Sequence, residues 1–222
     1  IKLMTALIPT LTLTILIHTR TVMNNNYKLE YPENIFPFPD DKWQKENNLY
    51  TNKTIDKKHI WKWFDEQGRL FLVTYRVFNL DGSKSDYPIA YGYDDDKKLG
   101  YHGNFLNWKY NQPLFNLPKI LNDTEGVIGI FEGEKTVTAA EILYPNLIST
   151  CYLHGVGKWN NADWEPLRNR EVILFPDNDT PGQKGFLHLT YYLKKELNCK
   201  VKSVRVPDTF PKKWDVADPL PK

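Results

Sequence analysis

Cysteine is scarce in this chain of 222 residues: only Cys151 and Cys199 occur. Two are too few for a disulfide framework and wrongly spaced for a zinc knuckle, so the composition points to a reducing, cytoplasmic setting and away from structural zinc. Charge of one sign is equally lacking. A formal net charge of +2 and a pI near 8.3 leave no electrostatic footprint strong enough to name a nucleic-acid partner. No long hydrophobic run exists either. The longest candidate, Leu3 to Ile17, is broken by Pro9, falls short of the ~20 residues that span a bilayer, and lacks the small-residue cleavage site of a signal peptide. A phosphate-binding loop is missing too: His154-Gly155-Val156-Gly157-Lys158 has neither Walker nor dinucleotide spacing, so its glycines read as a tight turn.

Aromatics, by contrast, are plentiful, with seven Trp, thirteen Tyr and eleven Phe. They serve to fill cores and sheet faces, and the 41% hydrophobic content is enough to bury a core. The chain begins with Ile1 and stops at Lys222 just after an acidic cluster, as expected of a segment of something longer, with Met23 a more natural start than Ile1. Residues 1–56 read as a poorly ordered leader and linker: the apolar run has little to pack against, and Pro32, Pro37 and Pro39 break regular structure beyond it.

From Lys57 the pattern becomes strands and turns. His59–Phe64, Arg69–Phe78 and Tyr87–Tyr93 are separated by Asp65-Glu66-Gln67-Gly68 and Asp81-Gly82, residues that tight hairpin turns require. Residues 57–120 are therefore expected to form a small antiparallel, β-rich subdomain. Asp94-Asp95-Asp96 beside Lys97-Lys98 reads as a solvated loop rather than a metal site. The proline-flanked stretch Pro113 to Pro118 reads as an extended connector.

Residues 121–222 alternate strand and helix: strands at Val127–Phe131, Leu147–Leu153, Glu171–Phe175 and Val201–Val206, helices at Lys135–Tyr144, Ala162–Arg168 and Pro181–Leu197. That order predicts βαβ units with right-handed crossovers, hence an α/β fold with a parallel sheet flanked by helices. Two of the strands are apolar runs that end abruptly in carboxylates, Glu132 after the first and Asp177-Asn178-Asp179 after the third. The carboxyl ends of parallel strands are where open α/β sheets bind ligands, so Glu132, Asp177 and Asp179 are expected to meet. Two carboxylates at i and i+2 suit Mg²⁺, which prefers oxygen ligands and completes its shell with water and substrate phosphates. Asp179 before Thr180-Pro181-Gly182 also reads as a helix N-cap, and Glu132 and Glu134 as partners of a helix dipole. Asp215 and Asp218 supply a third acidic group after the last strand.

Taken together, Glu132-Gly133-Glu134-Lys135, Pro176-Asp177-Asn178-Asp179 with Pro181-Gly182, and Trp214-Asp215-x-x-Asp218 resemble the signature of the Toprim domain. That domain is shared by bacterial-type primases, topoisomerases and some nucleases, and the wording is similar to primase-like proteins of phages, plasmids and other mobile elements. The preceding Tyr75-Arg76, Asp81-Gly82-x-Lys84 and Pro113-Leu114-Phe115-Asn116-Leu117 resemble the segment before Toprim in those proteins, so the likeness runs from about Lys57 to Asp218. It implies a Mg²⁺- (or Mn²⁺-) dependent primase that makes RNA primers on single-stranded DNA from nucleoside triphosphates, with a helicase domain or partner. By the same resemblance Glu132 is catalytic, Asp177, Asp179, Asp215 and Asp218 hold metal, and Lys135 and Lys158 contact nucleotide or DNA phosphate. A helix-surface lysine is the plainer reading of either one. Two rivals stand beside it: a Toprim nuclease that cuts phosphodiesters with the same acids, and a non-catalytic DNA-binding replication module. Topoisomerase is disfavoured, because nothing here corresponds to the domain that carries its nucleophilic tyrosine.

Overall fold

The structure is a computed structural model that describes residues 53–79, 81–93, 99–102 and 112–221. The expectations for the leader and linker up to residue 52, and for the Asp94–Lys98 loop, lie outside the described residues.

Four strands, β1 (Lys53–Phe64), β2 (Leu70–Asn79), β3 (Lys84–Tyr93) and β4 (Leu99–His102), form an antiparallel sheet in sequential order. β1 begins at Lys53, ahead of the expected Lys57. The first turn is tied by Asp65, whose Oδ1 accepts the Gln67 and Arg69 amides at 3.0 and 2.8 Å. Gly68 there has φ 74° and Gly82 in the second turn φ 79°, a left-handed conformation that glycine adopts without Cβ strain. Arg76 on β2 grips Asp86 on β3 with two bonds of 2.7 and 2.8 Å and lies over the Trp61 ring.

The connector contains a helix that the prolines hide: α1 (Leu117–Asn122) follows Asn116 in a left-handed conformation, φ 58°. Pro118 sits in its first turn, where a missing N–H costs nothing because it has no intrahelical partner. Asn116 closes the junction by donating to Glu141 Oε1 and Ser149 O, both at 3.0 Å.

Next come β5 (Val127–Ile130), α2 (Glu134–Leu143), β6 (Leu147–Thr150), two short 3-10 helices at Val156–Asn161 and Glu165–Leu167, β7 (Glu171–Leu174), α3 (Thr180–Lys195) and β8 (Lys200–Ser203). The strands form the expected parallel sheet, in the order β6-β5-β7-β8. Strand alternation sends side chains to opposite faces. Ile128, Ile130, Val172 and Leu174 pack with Phe186, Leu189 and Leu193 of α3, three residues spaced to line one helix face. Phe131 and Phe175, stacked at 4.5 Å between ring centroids, join Val137 and Ala140 of α2 on the other face. This second core also takes in Trp61, Trp63 and Leu72 of the antiparallel sheet. Trp63 and Leu72 are fully buried, and each such side chain withdrawn from water contributes about 1.5–3 kcal/mol. Polar bonds reinforce the junction: Trp63 Nε1 donates to Thr74 Oγ1 (3.0 Å), and Thr74 Oγ1 donates to Glu134 Oε1 (2.6 Å) at the start of α2.

Candidate active site

β5 and β7 are the two central strands, in register with Ile130 beside Leu174. The ladder continues one step past the strands, with the Phe175 amide donating to Ile130 O at 2.9 Å. Glu132 and Asp177 therefore emerge together at the carboxyl end, and the Asp177 amide donates to Glu132 Oε1 at 2.9 Å. The first turn of α3 closes over the pair. A Cβ at Gly182 would stand 2.2 Å from Glu132 Oε1, so only glycine lets that turn come so near the carboxylate. Asp179 caps the same helix, its Oδ1 accepting the Gly182 amide at 2.8 Å. The capping reading of Asp179 thus holds in geometry.

Burial pushes the Glu132 carboxyl above the ordinary range; the Asp177 amide pulls it back, and Asp179 and Asp215 push it further up. Asp177 rises to about 7, first through burial, then through the charges of Glu132, Asp215 and Asp179, with Lys135 opposing. Among the described residues no donor reaches the Asp177 carboxylate. Like charges held together in partial burial disfavour ionisation, and such perturbed acids in a crevice mark candidate functional groups.

Tyr152 completes this corner. Extending the β5–β6 register, in which Ile130 pairs with Thr150, brings Tyr152 beside Glu132 on the α3 face of the sheet. It is 2% exposed, stands edge-on to Trp164, and its hydroxyl has no hydrogen-bond partner among the described residues. Burial, followed by the charge of Glu132, keeps that hydroxyl from ionising.

The third acidic group is brought to the crevice but is already engaged. Lys135, in the first turn of α2, places Nζ 3.1 Å from Asp215 Oδ2 and 3.2 Å from Asp218 Oδ1. Burial draws the Lys135 pKa down, and the two carboxylates more than offset it, so the ammonium keeps its charge. Asn178, between the two acids of its triplet, clamps the chain that carries Asp215. Its Nδ2 donates to Phe210 O and Pro211 O at 3.1 and 2.9 Å, while its backbone pairs with Trp214 O and the Lys213 amide. Lys158 stands apart, exposed on the 3-10 helix Val156–Asn161; its amide donates to Gly155 O, but its ammonium has no hydrogen bond or ion pair among the described residues.

Glu132, Asp177, Asp179, Lys135, Asp215 and Asp218 thus converge, and Lys158 does not join them. No three acidic, histidine or cysteine side chains among the described residues are arranged to hold a metal ion. Glu132, Asp179, Asp215 and Asp218 each accept a hydrogen bond, whereas among the described residues no donor reaches the Asp177 carboxylate. The donor chemistry at Glu132 and Asp177, carboxylate oxygens under mutual repulsion, fits a hard cation that keeps most of its water. Sequence reasoning missed Tyr152, Asn178 and Gly182. Gly182 had a signal in the Pro-Gly pair after the cap; Asn178 and Tyr152 had none, because their roles depend on distant chain.

Among the described residues no helix is long and apolar enough to cross a membrane. No protein-family model and no curated protein matches the sequence. The similar solved structures include three primases. The DnaG primase catalytic domain bound to ssDNA is 16% identical with a TM-score of 0.44, over 71% of this chain and 45% of that one. The E. coli primase catalytic core is 13% identical with a TM-score of 0.44, over 80% and 55%. The Aquifex aeolicus primase, with its zinc-binding and RNA polymerase domains, is 16% identical with a TM-score of 0.45, over 79% and 43%. The chain spans about half the length of the solved structures it matches.

Proposed function

We propose that this crevice is a divalent-metal-dependent nucleotidyl-transfer site of primase type, extending RNA primers on single-stranded DNA from nucleoside triphosphates. The observation that carries the proposal is the pairing of Glu132 with Asp177 at the ends of the two central parallel strands. Their carboxyls are pushed up and lie together at the edge where such sheets bind ligands. A pair of acids that repel one another is costly to keep unless a cation relieves it. The ordered motifs around Glu132, Asp177 and Asp215 add a sequence argument for the same chemistry.

In this reading Glu132 and Asp177 would hold Mg²⁺ or Mn²⁺, and Asp179, which caps α3, would add a third carboxylate to the site. The ion, when bound, neutralises triphosphate charge and favours the attacking hydroxyl. Gly182 keeps α3 close enough to fix Glu132, and Asn178 holds the Phe210–Trp214 chain along one side of the crevice. A helicase domain or partner belongs to the same proposal, as does a cytoplasmic setting, which suits the free thiols of Cys151 and Cys199. The test is incubation with single-stranded DNA, labelled ribonucleoside triphosphates and Mg²⁺. Short RNA products that vanish with Glu132→Gln are expected. Cleaved DNA without extension would transfer the site to nuclease chemistry, and neither product would leave a DNA-binding module.

A further inference from the structure

We infer that Lys135 is a built-in counter-cation standing where a second divalent ion would otherwise sit, so that the crevice takes one metal ion rather than two. The inference rests on the metal-dependent reading above and deepens it. Phosphoryl-transfer sites commonly use two ions about 3.5–4 Å apart, each held by carboxylates. Among the described residues one acidic pair, Glu132 and Asp177, has no cation in direct contact, whereas the other, Asp215 and Asp218, is fully supplied with donors.

Asp215 Oδ2 faces Lys135 Nζ at 3.1 Å, and Asp215 Oδ1 accepts the Ala217 amide at 2.7 Å. Asp218 Oδ1 faces Lys135 Nζ at 3.2 Å, and its Oδ2 accepts the Asp215 amide at 3.1 Å. All four carboxylate oxygens are thus engaged, and three of them, with Asp215 Oδ1 at 3.4 Å, face the same ammonium. An ammonium offers three donors on a compact charge, so it can bridge two carboxylates much as a small cation does.

The position of Lys135 argues the same way. It lies in the first turn of α2, where the helix carries partial positive charge and a lysine is disfavoured. Helix propensity therefore does not account for the ammonium being there; the two carboxylates do. The ion pairs are partly shielded, with side-chain exposures of 31% for Lys135, 15% for Asp215 and 38% for Asp218, which strengthens them relative to a surface pair. Lys135 also acts on Asp177 through space, opposing the push of the surrounding acids. One fixed positive charge thus serves both halves of the crevice.

The experiment counts Mn²⁺ ions per chain by titration calorimetry, with free Mn²⁺ followed in parallel by its electron spin resonance signal. The wild type is expected to bind one ion, and the Lys135→Met variant two. The triple variant Lys135→Met, Asp215→Asn, Asp218→Asn should return to one. Lys135→Gln serves as the second variant, and thermal melting checks that each protein is folded. Two ions in the wild type, or one in both Lys135 variants, would overturn the inference. No ion in the wild type together with one in Lys135→Met that the triple variant loses would uphold it while refuting the Glu132–Asp177 site. No ion in any of the proteins would refute both.

Discussion

Replacing Asp177 by Asn should stabilise the metal-free protein, and the gain should depend on pH. The carboxyl rises from its ordinary 3.8 to about 7 in the folded chain, a rise of about three pH units, and at about 1.4 kcal/mol per unit the ceiling is about 4 kcal/mol. The group is only half-buried, and solvent screens it, so about 1–2 kcal/mol is the working figure. The sign follows from linkage. Below the unfolded pKa Asp177 is protonated in both states and costs nothing. As pH climbs from about 4 through about 7 the unfolded chain ionises first, and folding loses stability. Asn never ionises, so its advantage over Asp should be absent near pH 4, grow through that window and level off above it. For a chain of this size each kcal/mol moves Tm by about 2–4 °C, which predicts a Tm higher by about 2–8 °C at pH 8 in chelator. Thermal melts of both proteins followed by circular dichroism from pH 5 to 8 make the comparison. An Asn variant that melts no higher at pH 8, or by the same margin at every pH, would refute the picture of an uncompensated acid.

Three further substitutions probe the surroundings. Gly182→Ala places a methyl against Glu132 Oε1, the movable end of a side chain, so Tm should change little while Mn²⁺ affinity by calorimetry falls several-fold; an unchanged affinity would mean Glu132 is no ligand. Thr74→Val keeps the shape but strips the donor from Glu134 and the acceptor from Trp63, at a cost of about 2–4 kcal/mol for one buried and one half-buried group left unpaired, readable as a lower midpoint in urea. Tyr152→Phe removes a buried hydroxyl that has no partner among the described residues, so the midpoint should hold or rise; a fall above about 1 kcal/mol would mean that the hydroxyl is satisfied after all, as by a buried water.

The architecture was legible wherever one short stretch carries its own physics. The runs Val127–Ile130 and Glu171–Leu174 end in acids because a buried strand must stop being apolar where it meets the crevice, and Phe186, Leu189 and Leu193 announce a helix face by spacing alone. Asp65 and Asp81, each two residues ahead of the amide it accepts, marked both hairpin turns. The helix at Leu117–Asn122 was hidden because Pro118 reads as a breaker until its place in the first turn is known. Within the site, Glu132, Asp177 and Asp179 were readable from strand ends. The partnership of Lys135 with Asp215 and Asp218 was not, because it joins positions some eighty residues apart and no local pattern fixes such a pair.

The shared core under the antiparallel sheet bears on how this chain can be cut and inherited. Trp61, Trp63 and Leu72 bury themselves against Phe131, Val137 and Ala140, so the β-rich piece is no bead on a string. Severing the backbone near residue 120 would bare an aromatic surface on each half, and exposed patches of that kind drive aggregation. Recombination within a lineage should therefore exchange the two pieces together, and heat should melt them in one cooperative transition.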